Sequence, residues 1–228
     1  MTAATPNAPL LTLRQLRCIR DDRVLFSELA LDLAPGEIVQ VTGPNGSGKT
    51  TLLRIVSGLS LDFEGEITWS GIAVERNRLA YQQDLLFIGH QVGIKAALTP
   101  EENLRAVMGM HGQYKNGDIF DALRKVDLYG FEDVPCYQLS AGQQRRVALA
   151  RLHLSRQRLW ILDEPFTAID RAGVKALESL LICHAQQGGM VMLTTHHELS
   201  IQYQGLKRLD LTELMSASDH SLAVEAVQ

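Results

Sequence analysis

The sequence lacks long apolar runs, has little cysteine and carries no excess of positive charge, and each absence excludes a class of protein. No stretch of about 18 or more apolar residues occurs, so no transmembrane helix is predicted. Cys18, Cys136 and Cys183 are far apart and outside any CxxC pair, which is typical of reduced structural thiols rather than of a disulfide or zinc framework. A net charge of -4 offers no basic field for wholesale nucleic-acid binding.

The start of the chain also lacks a targeting signal. Residues 1–10 have neither the positive charge nor the apolar stretch of a secretory signal, so we expect the chain to stay in the cytosol. Apolar residues, in contrast, make up 46% of the 228 residues, which is enough to bury a sizeable core. We expect a single domain over 1–228, with loose tails at both ends.

Strand patterns dominate the first part of the chain. Alternating apolar and polar residues predict half-buried antiparallel strands at 10–19 and 24–33, with Asp21 and Asp22 in the turn between them. A short β-branched run at 37–41 leads directly into a Gly-rich stretch, and helical spacing follows it. This order predicts a strand, a loop of phosphate-binding size and a helix.

The rest of the chain divides into a helical part and a returning sheet. Residues 93–157 carry several helical patterns and no convincing strand, so we expect a helical subdomain there. Strand-like runs return at 159–162, 190–195 and 207–212, with helical spacing between the first two. This βαβ alternation predicts a mainly parallel sheet in an α/β core formed by about 10–92 and 158–212.

The most specific motif is GPNGSGKT, which fits the phosphate-binding pattern G-x-x-x-x-G-K-[ST] between a strand and a helix. Its glycines let backbone N–H groups point at a phosphate, and the helix adds the positive end of its dipole. Lys49 is expected to reach the β- and γ-phosphates, and the Thr50 hydroxyl to bind magnesium. The predicted nucleotide-binding residues are Gly43, Pro44, Asn45, Gly46, Ser47, Gly48, Lys49, Thr50 and Thr51.

Two carboxylates end the apolar run LWILDEP at 159–165. Asp163 is placed where it can hold magnesium, and Glu164 where it can polarise a water molecule. Burial alone does not account for two acids at the end of such a strand, so we interpret both as part of an ATP-hydrolysing site.

The segment LSAGQ at 139–143, followed by a basic helix with an apolar stripe, resembles the signature sequence of ABC ATPases. With the phosphate loop and the acidic strand end in the same order, the resemblance extends over roughly residues 11–212. It implies the ABC ATPase version of the P-loop NTPase fold, in which a RecA-like, mainly parallel core carries an antiparallel β subdomain and a helical subdomain. It also implies a dimer that sandwiches two ATP molecules.

The family resemblance implies further roles. Each ATP is held by the phosphate loop of one subunit and the signature of the other, here Ser140, Ala141, Gly142 and Gln143. Asp170 in TAID resembles the loop that crosses the dimer interface. His196, the first histidine of TTHHEL, resembles the switch histidine at the γ-phosphate; His197 is the other candidate.

Two assignments within the resemblance stay open. Gln91 fits best as the glutamine that contacts magnesium together with Thr50 and Asp163, whereas Gln82 and Gln83 are alternatives earlier in the chain. The position that stacks on adenine falls at Arg20, where the family usually has an aromatic ring. A guanidinium plane can stack on a base too, but Arg20 is also interpretable as a solvated turn residue.

The segments GHQVGIK at 89–95 and LWILDEPFTAID resemble the ATPase family of bacterial cytochrome c maturation. The resemblance implies a peripheral protein of the inner membrane, a homodimer that works with the membrane proteins CcmB and CcmC and the small CcmD, and a role in haem delivery to the chaperone CcmE. The sequence itself contains no haem site, because it lacks CxxCH and because His90, His111 and His153 are scattered.

Other functions remain as alternatives. One is the ATPase of a different small exporter or importer with the same motifs; a second is a soluble ABC ATPase of DNA repair or translation, which normally carries a coiled-coil insert or two nucleotide domains. A third is a module that binds ATP without hydrolysing it. The apolar run at 85–88 is interpretable either as a core strand or as part of a surface, around 85–98, that docks a membrane partner.

Overall fold

The computed structural model describes residues 8, 10–109, 116–197, 199 and 202–212. The expected loose tails and His111 lie outside these residues. The strands are β1 (Leu11–Arg20), β2 (Arg23–Leu33), β3 (Ile38–Thr42), β4 (Glu64–Trp69), β5 (Ile72–Ala73), β6 (Leu85–Ile88), β7 (Leu159–Asp163), β8 (Met190–Thr194) and β9 (Leu206–Asp210). The α-helices are α1 (Lys49–Val56), α2 (Arg78–Gln83), α3 (Pro100–Met108), α4 (Asn116–Lys125), α5 (Ala141–Leu154) and α6 (Arg171–Gln186).

The strands form two sheets. The antiparallel sheet has the order β2-β1-β4-β5, and the five-stranded sheet has the order β6-β7-β8-β3-β9. Every pairing in the five-stranded sheet is parallel. The predicted fold class, a parallel α/β core with an antiparallel β subdomain and additional helices, is confirmed.

The β1–β2 hairpin follows the predicted alternation. Its turn residues Asp21 and Asp22 have φ angles of 50° and 59°, a left-handed conformation that short polar side chains tolerate well. Inward side chains such as Leu13 and Phe26 are fully buried. The hairpin therefore carries Arg20, at its tip, beyond the buried part of the sheet.

Strands β4 and β5 and helix α2 were not predicted. The first three residues of β4 are exposed, and only Ile67 and Trp69 are buried, so the alternation is too short to detect. The strand exists because it pairs with β1 far away in the sequence, for example Leu13 with Ile67. Tertiary pairing, rather than local propensity, determines this element.

Strand β6 decides between the two interpretations of residues 85–88. Leu85, Leu86 and Ile88 are buried, and the strand pairs in parallel with β7. The apolar run is thus a core strand. The alternative residue Gln82 lies before it on α2, where its side-chain amide donates to the carbonyl of Ser57 at 2.9 Å.

Helices α3, α4 and α5 lie between β6 and β7 and share a hydrophobic cluster of their own, around Leu104, Leu123 and Val147. Thr99 and Ser140 cap α3 and α5 with reciprocal side-chain and backbone hydrogen bonds. None of the helices in the described part of the chain is long and apolar enough to cross a membrane.

The parallel register brings three loops to one edge of the sheet. Strands β7, β8 and β3 are neighbours, and Thr194 at the end of β8 is the partner of both Val41 and Asp163. Because the carboxyl ends of parallel strands meet at one edge, the segments that follow β3, β7 and β8 lie together there. The fold therefore assembles one site from three distant stretches of sequence.

Candidate functional site

The loop between β3 and α1 has a backbone that requires glycine. Gly48 caps α1 with a φ of 93°. Gly43 has a φ of 142°, and a Cβ there would lie 2.7 Å from the Ser47 hydroxyl oxygen. A side chain at either position would therefore be strained. The loop leads directly into the first turn of α1, where free backbone N–H groups and the helix dipole favour an anion.

Lys49, the first residue of α1, lies along this loop. Its ammonium group donates to the carbonyl oxygens of Gly43 at 2.7 Å and Pro44 at 3.0 Å, and the side chain is largely buried. The positive charge is thus fixed at the mouth of the loop. This is the position from which an ammonium can balance the charge of a bound phosphate.

Asp163, the last residue of β7, is almost completely buried. One of its carboxylate oxygens accepts from the Thr50 hydroxyl at 3.2 Å and from the Thr194 hydroxyl at 2.7 Å. Hydroxyl and carboxylate oxygens next to a phosphate site are the donor set that Mg²⁺ prefers, since it is usually held by one or two protein oxygens together with phosphate oxygens. The residues present therefore fit a magnesium ion, which Thr50 and Asp163 could hold.

Glu164 follows Asp163 in a left-handed conformation with a φ of 50°, which is unusual for a residue with a side chain. Its N–H donates to the Thr194 hydroxyl oxygen at 3.0 Å. Its carboxylate accepts from the backbone N–H of His196 at 3.2 Å and lies 3.5 Å from the His196 Nε2 atom. The carboxylate and the imidazole therefore form one pair at the sheet edge.

The two adjacent histidines point to different surroundings. His196 is exposed and lies beside Glu164. His197 has its Nε2 atom 3.8 Å from Glu178 of α6, and its ring is 5.4 Å from that of Phe166. His197 is thus held against α6, whereas His196 is open to solvent on the side of the phosphate loop.

These groups surround one cleft of about 510 Å³. Its lining residues are Arg20, Leu25, Asn45, Gly46, Gly48, Lys49, Thr50, Thr51, His90, Glu164 and His196. Pockets of this volume hold small-molecule ligands. Arg20 lines the cleft from the hairpin tip, although its side chain is largely exposed.

Gln91 is not among the residues that line this cleft; its neighbour His90 is. Both side chains are exposed. The family resemblance selects Gln91, whereas the sequence gives no role to the scattered His90. Which of two consecutive residues faces a cleft depends on the direction in which the chain leaves β6, which spacing does not determine.

Ser140, Ala141, Gly142 and Gln143 lie at the start of α5. Ser140 caps the helix, and its hydroxyl accepts from the Gln143 N–H at 3.2 Å. A Cβ on Gly142 would lie 2.7 Å from the Ala168 carbonyl oxygen, so the missing side chain permits close packing against the loop after Glu164. None of these signature residues lines the cleft formed by the phosphate loop of the same chain.

Asp170 caps α6 and joins it to α5. Its carboxylate accepts from the Gly173 N–H at 2.8 Å and lies 3.0 Å from a guanidinium nitrogen of Arg146, which also pairs with Asp127 at 2.6 Å. The backbone hydrogen bond from Gly173, followed by the charge of Arg146, lowers the pKa of the Asp170 carboxyl. Asp170 is therefore a charged contact between α5 and α6.

Sequence reasoning missed Thr194 and His90. Thr194 is the only hydroxyl-bearing residue of β8, and a polar residue ending an otherwise apolar buried strand was the available signal. Thr194 bonds to both Asp163 and Glu164 and so sets the two carboxylate residues relative to each other.

Comparison with known proteins extends these observations. Residues 26–167 match the ABC transporter family. The chain is 53% identical to the cytochrome c biogenesis ATP-binding export protein CcmA of Aliivibrio fischeri, over 90% of this chain and 100% of that protein. It is 55% identical to the protein of the same name from Vibrio vulnificus, over 89% and 99%.

Solved structures agree in fold. An ABC transporter ATP-binding protein from Pyrococcus furiosus superposes with a TM-score of 0.77 at 28% identity, covering 90% of this chain and 98% of that one. The ATP-binding cassette MJ0796, in a dimeric post-hydrolysis state bound to ADP and phosphate, superposes with a TM-score of 0.74 at 25% identity, covering 82% and 88%.

Proposed function

Because the chain belongs to the ABC transporter family and, within it, to the CcmA proteins of cytochrome c biogenesis, we propose that its ATP hydrolysis drives a CcmABCD-type membrane complex. In this proposal the complex either delivers haem to the chaperone CcmE or releases CcmE once it is loaded with haem. The observation that carries the proposal is the convergence of Lys49, Thr50, Glu164 and His196 on one cleft, with Asp163 bonded to Thr50, in a chain with these relatives.

ATP binds with its phosphates in the loop from Gly43 to Thr51. Lys49 and the N-terminus of α1 stabilise the phosphate charge. Arg20 lies at the edge of the cleft, where its guanidinium plane stacks on the adenine ring. Thr50 and Asp163 would hold magnesium, joined by Gln91 when the loop after β6 turns inward, and the bound ion would supply positive charge next to the phosphates.

Glu164 acts as the general base for the attacking water, and its strained backbone aims the carboxylate into the cleft. His196 holds that carboxylate through its backbone N–H, and its exposed ring, which lies beside the carboxylate, donates to the γ-phosphate when ATP is bound. The buried hydroxyl of Thr194 fixes the positions of Asp163 and Glu164 relative to each other. Each of these residues orients a reacting group before the chemical step, so the site is preorganised.

The functional unit is a dimer. Ser140 and Ala141 are exposed at the start of α5, and they do not line the cleft of their own subunit. A second subunit that presents Ser140, Ala141, Gly142 and Gln143 to the γ-phosphate completes the site, because a helix N-terminus favours an anion. Asp170 crosses the interface from the loop that Gly142 packs against.

The chain is a peripheral subunit on the cytoplasmic face of the bacterial inner membrane. CcmB and CcmC are its membrane partners, CcmD is a small accessory subunit, and CcmE is reached indirectly. The helical subdomain at about 93–157 and the loop after β6 transmit closure of the dimer to the membrane subunits. The name "export protein" carried by the relatives supports this placement.

The test is purification of tagged Glu164→Gln protein from detergent-solubilised native membranes with ATP and magnesium, followed by mass spectrometry and a haem absorption spectrum. Co-purification of CcmB- and CcmC-like proteins with haem-bearing CcmE is expected. Recovery of an unrelated permease refutes the cytochrome c role but retains the ATPase, whereas recovery of no membrane protein favours a soluble ATPase. Tagged wild-type protein without nucleotide is the control.

A further inference from the structure

Arg145 is a buried cation on α5, the signature helix that begins just after Ser140. Its hydrogen bonds reach the segment that contains Asp163 and Glu164. Its guanidinium Nη2 atom donates to the carbonyl oxygens of Asp163 at 3.0 Å and Glu164 at 2.7 Å. The Nη1 atom donates to the carbonyl oxygen of Gly89 at 2.9 Å, and the Nε atom lies 3.5 Å from the carbonyl oxygen of Pro165. One side chain therefore joins α5 to the ends of β6 and β7.

The planar fork of arginine suits this arrangement, because five N–H donors in one plane can bind several carbonyls at once. Only 3% of the residue is exposed. Burial lowers the pKa of the Arg145 guanidinium, while the nearby charges of Asp163 and Glu164 raise it. A buried charge is costly unless it is hydrogen-bonded, so these bonds are specific and not incidental.

The bond to Glu164 falls on a strained residue. Glu164 has a left-handed backbone, and such conformations persist only where surrounding contacts hold them. Its N–H donates to Thr194, and its carbonyl accepts from Arg145 at 2.7 Å and from the Thr167 N–H at 3.2 Å, so both sides of the residue are fixed. Of these three contacts, the shorter bond to the carbonyl comes from Arg145 on α5.

Neighbouring residues of α5 reinforce the same connection. Gly142 packs against the Ala168 carbonyl, and Arg146 pairs with Asp170. The first two turns of α5 thus contact the loop from residue 163 to residue 170 at its beginning, middle and end. A rotation of α5 must either carry this loop with it or break these contacts.

We propose that Arg145 is a positioning residue that sets the backbone of Glu164, and hence the direction of its carboxylate, from the signature helix of the same subunit. The proposal rests on the function proposed above, in which Glu164 is the general base. It makes the orientation of the signature and the geometry of the catalytic carboxylate dependent on each other. Through Gly89 the same guanidinium also fixes the chain immediately before His90.

A double-mutant cycle on the purified full chain tests this proposal. Arg145→Met, Glu164→Gln and the double variant are compared in single-turnover ATP hydrolysis, with protein in excess over Mg-ATP and concentrated enough to bind all of it. We expect Arg145→Met to lower the rate about 100-fold, the scale of a catalytic group misplaced by about 1 Å, with ATP affinity unchanged. In the Glu164→Gln background it should lower the residual rate by less than about twofold, because the effect acts through Glu164.

Arg151→Met is the matched control. Arg151 lies on the same helix, burial lowers the pKa of its guanidinium, and its Nε atom has no hydrogen-bond partner within the described residues. This variant removes a partly buried arginine without touching Glu164, so its hydrolysis rate should stay close to that of the wild type. Thermal unfolding of both arginine variants reports general loss of stability separately.

Four outcomes test the positioning role. Equal losses in the wild-type and Glu164→Gln backgrounds, or equal losses for Arg145→Met and Arg151→Met, refute the positioning role. If Arg145→Met does not fold, Arg145→Lys replaces it, because lysine keeps the charge but not the planar fork. Its loss of hydrolysis rate should likewise be less than about twofold in the Glu164→Gln background. The hydrolysis rate of the wild-type protein is measured before that of any variant. If the wild type does not hydrolyse ATP, the proposed function is refuted instead of the positioning role.

Discussion

The Thr194 hydroxyl donates to the Asp163 carboxylate at 2.7 Å while its oxygen accepts from the Glu164 N–H at 3.0 Å. One buried hydroxyl therefore serves the residue assigned to magnesium and the residue assigned to water activation. Because strands β7 and β8 are adjacent and in parallel register, this link is built into the sheet itself.

Thr194→Val keeps the shape of the side chain but removes both hydrogen bonds. We expect unfolding free energy to fall by about 1–3 kcal/mol, because a buried N–H loses its partner, and ATP hydrolysis to fall as well. Urea unfolding and steady-state turnover measure the two effects. Thr194→Ser, which retains the hydroxyl, should stay near the wild type; a Thr194→Val variant with normal turnover would contradict the assigned role.

Lys49→Ala removes the charge at the mouth of the phosphate loop. Nucleotide affinity should weaken, and turnover should fall by at least about 100-fold, the scale of losing one preorganised charge-stabilising group. Binding of a fluorescent ATP analogue and phosphate release measure these changes. Lys207→Ala is the control, because that ammonium pairs with Glu37 at 2.6 Å outside the cleft. Normal ATPase activity in Lys49→Ala would remove this site from the mechanism.

Glu164→Gln should stop hydrolysis while leaving the phosphate loop intact. We therefore expect it to accumulate as an ATP-bound dimer with magnesium, since the amide preserves the shape of the carboxylate but cannot act as a base. Light scattering with and without ATP measures the change in mass. Glu164→Gln combined with Lys49→Ala should remain monomeric. A monomer at saturating ATP in the single variant is the result that speaks against a composite site.

Single substitutions can distinguish the contributions of His90 and Gln91 to turnover. His90 lines the cleft, whereas in the proposed mechanism Gln91 reaches it only when the loop after β6 turns inward, so at saturating magnesium His90→Ala should reduce turnover more than Gln91→Ala. Gln91→Ala should mainly raise the magnesium concentration that turnover requires. His90→Gln, which restores a hydrogen-bonding side chain of similar length, should recover part of the loss. Turnover as a function of magnesium concentration at fixed ATP distinguishes the variants. A larger loss for Gln91→Ala at saturating magnesium would contradict the cleft position assigned to His90.

His153 lies on α5 in a cleft that Lys125, Arg146 and Asp170 also line. Burial, and then the charge of Lys125, lowers the pKa of its imidazole from 6.5 to about 4. Between these values the unfolded chain binds more protons than the folded chain, so stability is present above pH 6.5 and is lost as the pH falls toward 4. Thermal unfolding from pH 7 to 5 measures the loss, and His153→Gln should flatten it. An equal pH dependence of stability in both proteins would exclude His153 as the cause of the loss.

How much of this could be read from the sequence depends on how far apart the interacting residues are. The phosphate loop, the acidic end of β7 and the capped start of α5 are contiguous segments, so their residue types and spacing carried the information. The parallel sheet and the helical insert followed from hydrophobic periodicity. Strands β4 and β5 escaped detection because their stability comes from pairing with β1 and not from their own pattern.

The sequence by itself determined the class of ligand, the order of the motifs and the family, because each rests on a short run of residues whose chemistry is local. Only the tertiary structure decided that His90 and not Gln91 lines the cleft, that Thr194 links Asp163 to Glu164, and that Arg145 reaches across from α5. These relationships depend on which way a side chain points at the end of a strand and on which strands are neighbours. Such geometry is set by packing over the whole domain, and no local pattern encodes it.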